Sequence, residues 1–358
     1  MNNQDAAEQL RQVVEYRVKD LVTGMEVAKE IYGSDGTGLV LAGAVLNRPT
    51  IEKLERWGVE RVHVFAQAAF NPLADPHMQQ FVQQYQNSVG AVEQAFQLIK
   101  SSGEIPVELF QSTAQQMTAD LYSAGNILDK LYHFPVCDDY TFRHSVNVSI
   151  VAALIAMWLK YPGDVVNAVS LAALMHDIGK AFLPPELLNQ PNKLAVADYL
   201  KYQQHVQYGK ALLSKRGDIS PSIAEAILQH HEREDGSGYP YALKGEEIHP
   251  YAAIIAVADV YDEHLTINRD DTSPVSPYTS LENLWGIVSS LNARVCINFC
   301  ECMTNFLSGN QVKLTDGRDA RVICVNKRWP SLSMVQLEDG RVIDLIDQSA
   351  VRINYLLR

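Results

Sequence analysis

From residue 135 to residue 307 the sequence runs through one apolar helical stretch after another, and histidines and aspartates are set into them. VVNAVSLAALM, Val165 to Met175, ends on the pair His176-Asp177 before Ile178-Gly179-Lys180 breaks its period. Lys201 to Ser214 carries His205 on a mixed helical face, and Ile223, Ala226 and Ile227 lead into His230-His231. YAAIIAVADVYD places Asp259 in the middle of a greasy helix, and His144 opens another such run. An ionised aspartate in these surroundings is costly unless its charge is compensated. Neutral imidazole with carboxylate is a ligand set for Fe, Mn or Zn, and a shared carboxylate can bridge two metals. The pattern therefore predicts an all-α bundle whose distant helices converge on one buried centre.

Taken singly, each histidine is ordinary as a hydrogen-bonded core or surface residue, and neither His144 nor His205 alone argues for function. Two histidine-containing dyads, two further histidines and a buried aspartate in one segment argue together for a metal site. Cysteine takes no part. Cys137, Cys296, Cys300, Cys302 and Cys324 form no C-x-x-C pair and read as reduced thiols of a cytoplasmic protein.

The rest of the chain sets limits. At 358 residues and 47% apolar content it has room for two or three folded units with real cores. With 42 acidic against 30 basic residues it carries a net charge of −12, which excludes general binding of polymeric nucleic acid. The N-terminus has acidic residues early and no signal-type apolar core. The longest greasy stretch, Val146 to Leu159, carries Asn147 and Ser149 and falls short of the roughly 18 residues a membrane span needs.

Four segments follow. Residues 1–70 alternate short strands and turns, then place Ile51, Leu54 and Trp57 at helical spacing before the strand Arg61 to Phe65, a small α/β module of regulatory character. Residues 71–134 form a helical region: Met78, Val82, Tyr85, Val89, Val92, Phe96 and Ile99 recur at alternating spacings of four and three, either an intrachain packing face or a homodimer seam over 78–99. A second helix there runs from Val107 to Leu131, with Leu109, Met117, Leu121 and Leu128 on one side. Residues 135–308 hold the histidines and aspartates. Residues 309–358 read as a small β unit with two Asp-Gly turns.

His144, then HDIGK at 176–180, His205, His230-His231-Glu232, Asp235-Gly236-Ser237-Gly238-Tyr239-Pro240 and Val257-Ala258-Asp259-Val260-Tyr261-Asp262 resemble the HD-GYP domain, the cyclic di-GMP phosphodiesterase branch of the HD metal-dependent phosphohydrolases. The match spans about half the chain, and HHExxDGxGYP together with HDIGK is a pattern composition does not produce. The flanking modules resemble domains seen beside HD-GYP units more loosely. The resemblance implies an HD-type helical bundle and two divalent cations, iron or manganese ahead of zinc. One would be held by His144, His176, Asp177 and Asp259, the other by His205, His230 and His231, with Asp177 shared. It implies hydrolysis of cyclic di-GMP to linear pGpG and on to GMP by a hydroxide bridging the two metals. Lys180 would contact the phosphate or the leaving oxygen, and Asp235, Gly236, Gly238, Tyr239 and Pro240 would rim the cleft.

Two departures qualify this. Family members that hold a third metal carry a glutamate where this chain has Tyr140, and Asp139 is turned about 100° off that face. Two metals are therefore expected. The family's Ala-Arg-Ile stretch reads Ala252-Ala253-Ile254-Ile255 here, and its Arg-Pro-Tyr-Arg-like run is replaced by Glu263 to Asp271, with Arg269 as the surviving base. Fewer cationic contacts to an anionic ligand leave open slow turnover, another nucleotide substrate, or a receptor that binds without cutting.

Overall fold

The computed structural model describes residues 13–18, 21, 27–33, 38–41, 44, 46, 48–65, 76–123, 140–188, 194–214, 216–266, 276–348 and 350–357. They belong to two compact units, residues 1–79 and 80–358.

In the first unit, β1 (Val13–Arg17) pairs antiparallel with β4 (Arg61–Phe65), and β2 (Ile31–Tyr32) with β3 (Gly38–Val40). The β2–β3 pair and then helix α1 (Arg48–Arg56) lie between β1 and β4 in sequence. Val27, Leu46, Leu54, Val62 and Val64 form the core of this α/β module. Trp57 does not join Ile51 and Leu54 on the apolar side: α1 ends one residue earlier, and the indole is 45% exposed.

The second unit is mostly helical. Its elements are α2 (Pro76–Ser102), α3 (Val107–Ser123), α4 (Tyr140–Trp158), α5 (Gly163–Leu174), α6 (Pro185–Leu188), α7 (Val196–Tyr202), α8 (His205–Ser214), α9 (Pro221–Gln229), α10 (Pro250–Thr266), α11 (Pro277–Gly286) and α12 (Ala293–Leu307), with a 3-10 turn at Ile178–Phe182. Helix α4 is the centrepiece. Val146, Val148, Ile150, Val151 and Ile155 are buried around its circumference, as in a helix surrounded by partners, and its most extensive neighbours are α5 and α10. This is the all-α bundle that the sequence pattern predicts.

The alternating seam of α2 turns inward. Tyr85, Val92, Phe96 and Ile99 are buried, Val82 and Val89 are half-buried, and the side chain of Met78 lies outside the described residues. Tyr85 donates to Asn147 Oδ1 at 2.7 Å, and the Phe96 ring meets Phe142 at 5.4 Å, so the seam packs on α4 of the same chain. The described part of α3 buries Val107, Phe110, Ala114, Met117 and Leu121, leaving Leu109 only half-buried. Its continuation to Leu128 and Leu131 lies outside the described residues.

Beyond α12 the chain forms an antiparallel sheet ordered β8-β7-β6-β5-β9. The strands are β5 (Gln311–Leu314), β6 (Asp319–Cys324), β7 (Met334–Leu337), β8 (Val342–Asp344) and β9 (Ile353–Leu356). The two Asp-Gly turns are built alike: Asp316 and Asp339 each accept the backbone N–H two residues on, at 3.1 and 3.0 Å. Arg352 ties the sheet to Glu282 of α11 at 3.3 Å. Trp329 is 42% exposed and carries the Arg328 guanidinium over its ring. Among the described residues no helix is long and apolar enough to cross a membrane.

Candidate metal centre

Three of the histidines stand where helices end or begin. His176 follows α5, His230 follows α9, and His205 opens α8 directly after the chain breaks at Gln203-Gln204. The continuous helix expected from Lys201 to Ser214 is thus two helices, and the donors do not sit mid-helix as a group. The geometry shows what the breaks achieve. In each case Nδ1 lies 2.7 Å from the carbonyl three residues back: Ala173 for His176, Tyr202 for His205, Ile227 for His230. Carbonyls of a last helical turn lack their full set of intrahelical partners, so they can accept an imidazole proton. That fixes the proton on Nδ1 and leaves Nε2 a bare lone pair aimed inward.

His144 lies inside α4, where carbonyls are already used. Its Nδ1 faces Asp262 Oδ2 at 2.8 Å, and Asp262 Oδ1 accepts from Asn147 Nδ2, also at 2.8 Å. Sequence reasoning missed these roles of Asp262 and Asn147. Asp262 lies three residues after Asp259 and so on the same face of α10, which is the signal that could have found it.

The two aspartates join these rings. Asp177 Oδ2 lies 3.3 Å from His176 Nε2 and 3.8 Å from His144 Nε2, while its Oδ1 lies 3.4 Å from His205 Nε2 and 4.0 Å from His230 Nε2. Asp259 Oδ1 is 3.0 Å from His144 Nε2, and its Oδ2 is 3.8 Å from His231 Nδ1. The donor atoms fall into two sets, His144 with His176 and Asp259, and Asp177 with His205, His230 and His231, each within 4.8 Å. His231 is half-buried and the other six residues are buried.

Whether cations suit this cluster can be judged from its unpaired atoms. Nε2 of His176, His205, His230 and His231, Oδ1 of Asp177 and Oδ2 of Asp259 are buried without a hydrogen-bond partner. Each such orphan costs roughly 1–3 kcal/mol if nothing satisfies it. Six around one centre, all lone-pair donors and none of them sulfur, fit divalent cations.

Protonation agrees with that role. Burial lowers His205 to about 4 and holds His230 and His231 well below the usual imidazole range, so these rings are neutral at pH 7. Burial pushes the Asp177 carboxyl up, but His176 and Lys180 outweigh it and hold it well below the usual carboxylate range. Asp259 is likewise lowered, burial being outweighed by His144.

The rim is built from side chains. Lys180, on the 3-10 turn, contacts the Asp177 carboxylate. Tyr239 stacks on His231, with ring centroids 4.7 Å apart. Gly238 is wedged so closely that a Cβ would come 2.4 Å from the Arg233 nitrogen. Buried Glu232 shapes the loop, accepting the Tyr241 and Leu243 N–H groups at 2.7 and 2.9 Å. Asp235 is exposed and accepts the Ser237 N–H at 2.9 Å, Gly236 has φ 80°, and the Tyr239–Pro240 peptide is cis. Glu263, one turn beyond Asp259 on α10, is raised to about 7 by burial and by the Asp259 charge. Arg269, like Asp139, Asp270 and Asp271, lies outside the described residues, as does the side chain of Tyr140.

Residues 133–288 match the HD domain family. The chain is 37% identical over 147 residues to a cyclic di-GMP phosphodiesterase of Pseudomonas aeruginosa, covering 41% of this chain and 36% of that protein. It is 35% identical over 161 residues to a cyclic di-GMP phosphodiesterase of Thermotoga maritima, 43% of each. A 3′3′-cGAMP-specific phosphodiesterase of Vibrio cholerae is 38% identical over 122 residues, 34% of this chain and 28% of that one. The chain thus spans less than half the length of these curated relatives. In fold, it resembles a solved HDG"Y"P protein from Bdellovibrio bacteriovorus, with a TM-score of 0.54 at 16% identity over 82% of this chain and 99% of that one. The histidine-rich helical segment, residues 133–288, is thus similar to the HD domain family.

Proposed function

We propose that this chain is a cytoplasmic phosphodiesterase that hydrolyses cyclic di-GMP to linear pGpG and on to GMP, using two divalent cations, iron or manganese. The observation that carries this reading is the pair of oxygens on Asp177, one turned to each set of orphaned imidazole nitrogens. The relatives named as cyclic di-GMP phosphodiesterases support the substrate class.

When bound, a pair of divalent cations supplies charge neutralisation at the phosphate and a nucleophilic water at neutral pH. The chain's own residues do the rest. His144, His176 and Asp259 would hold one cation and His205, His230 and His231 the other, with Asp177 available to both. Carbonyl and carboxylate contacts to Nδ1 keep the imidazoles in the tautomer that leaves Nε2 free. Lys180, half-buried and held as an ammonium because Asp177 outweighs its desolvation, contacts the phosphate or its leaving oxygen. Tyr239, with its phenol kept protonated by burial, presents a ring and a hydroxyl donor at the cleft.

Protein loaded anaerobically with Fe(II), or with Mn(II), is expected to convert cyclic di-GMP to pGpG by chromatography, and Asp177→Ala to abolish conversion. Absence of product with either metal overturns the proposal. One observation favours a second reading. Glu263 adds an acidic group beside Asp259 in a region where the family pattern has bases, which suits a receptor that binds the dinucleotide and cuts it slowly or not at all. Binding without product in a panel that includes 3′3′-cGAMP selects that reading.

A further inference from the structure

Tyr202 ends α7 and is buried, at 6% exposure. Its carbonyl orients His205, but its side chain has a separate neighbour. The Lys180 ammonium lies 5.2 Å from the centre of the Tyr202 ring, inside the range in which an aromatic face attracts a cation. Tyr202 is itself braced, stacked against Tyr199 at 6.3 Å and tilted onto His205 at 5.1 Å.

The Asp177 carboxylate is the other partner of Lys180. Its two oxygens also face the two donor sets, so cations bound there draw on the same charge that holds Lys180. The Tyr202 ring face supplies no ligand atom to either set, so it keeps its hold on the ammonium in either state.

We propose that Tyr202 is a positioning residue, keeping the Lys180 ammonium in the cleft when Asp177 is committed to cations. This deepens the phosphodiesterase reading and rests on it, because it assumes that Lys180 meets the phosphate.

The test is a double-mutant cycle on the full chain loaded with Mn(II): Tyr202→Leu, Tyr202→Phe, Lys180→Ala and the double variant Tyr202→Leu/Lys180→Ala. Three quantities are read: bound manganese, kcat and KM with cyclic di-GMP, and Kd for a phosphorothioate analogue of the cyclic dinucleotide. Tyr202→Leu is expected to lower kcat/KM by about 10- to 30-fold with manganese content unchanged. Tyr202→Phe, which keeps the ring, stays within about threefold of wild type. In the Lys180→Ala background, Tyr202→Leu adds less than about twofold, because the group it acts through is gone.

The proposal is overturned if Tyr202→Leu matches wild type, if it costs as much without Lys180 as with it, or if manganese is lost in proportion to activity. Wild-type protein that binds the analogue but makes no product defeats the phosphodiesterase reading alone, and the same cycle then decides the Tyr202 proposal on Kd. Wild-type protein that neither binds nor cuts defeats both.

Discussion

The donor cluster and the rim above it are oriented by different parts of the chain. In the cluster, His176, His205 and His230 are each aimed by a main-chain carbonyl at a helix end. At the rim, side chains aim one another: Tyr239 lies on His231, Lys180 lies between Asp177 and Tyr202, and Glu263 stands beside Asp259. A carbonyl cannot be removed by a side-chain substitution, so the cluster tolerates change in its surroundings. A rim held by side chains can be retuned one residue at a time, and this is the part of the domain where the sequence leaves the family pattern.

The largest effect expected is at the residue shared by both sets. Asp177→Asn replaces a two-oxygen anion with a neutral amide, so turnover should fall by more than about 10³-fold. Bound metal should drop by at least one ion per chain in elemental analysis. A variant that keeps both ions and its activity would break the contrast, since the cluster would then no longer depend on Asp177.

Next is the pH dependence of the metal-free fold. His205 sits at about 4 in the folded chain against 6.5 ordinarily. As pH falls through 6.5 the unfolded chain takes up a proton that the folded chain does not accept until about 4, so stability is lost over that window. At about 1.4 kcal/mol per unit this amounts to roughly 3 kcal/mol by pH 4 from His205 alone, and His230 and His231 act in the same direction. Asp177 and Asp259, whose folded values are lowered, lose their contribution only as pH falls below about 3.8. Chelator-treated protein should therefore melt at a lower temperature at pH 5 than at pH 7.5. A Tm that is flat across this range would mean the rings are not buried as bare neutral imidazoles.

His144 is the place where the cluster borrows the rim's method, since a carboxylate rather than a carbonyl holds its Nδ1. Asp262→Asn should accordingly cost about 10- to 100-fold in metal affinity or turnover, the range for partners that orient a metal-bound histidine. No effect would show that α4 packing alone fixes the His144 ring.

The same contrast governs how much of the molecule is legible in its sequence. The donors are legible because a histidine or aspartate set into an apolar helical run is costly without a partner, as with Asp259 in YAAIIAVADVYD. The helical bundle and the β-rich C-terminal unit are legible from periodicity and from the two Asp-Gly turns, whereas the HD type of the bundle is implied only by the resemblance of its motifs. The helix break at Gln203-Gln204 is not, because no glycine or proline marks it; it shows only in the bond between His205 Nδ1 and the Tyr202 carbonyl. Trp57 falls off the apolar side because helical spacing does not reveal where a helix stops. Tyr202 is silent in the sequence because its importance depends on the distant Lys180 that it meets; Glu263 marks a departure from the family pattern, but its place beside the donor cluster is not legible there.

The smallest effect expected separates ring from hydroxyl at the rim. Tyr239 presents its face to His231 at 4.7 Å with an interplanar angle of 27°. Tyr239→Phe keeps that stack and removes one donor, so dinucleotide affinity should weaken by about three- to tenfold at most, with metal content unchanged. Tyr239→Ala removes the stack as well and should cost more, through the rim and not the cluster. If Tyr239→Phe instead lowered metal content, the phenol would have to be supporting His231 and its lone pair. The division between a cluster aimed by the main chain and a rim aimed by side chains would then fail at His231, the one donor whose ring is only half-buried.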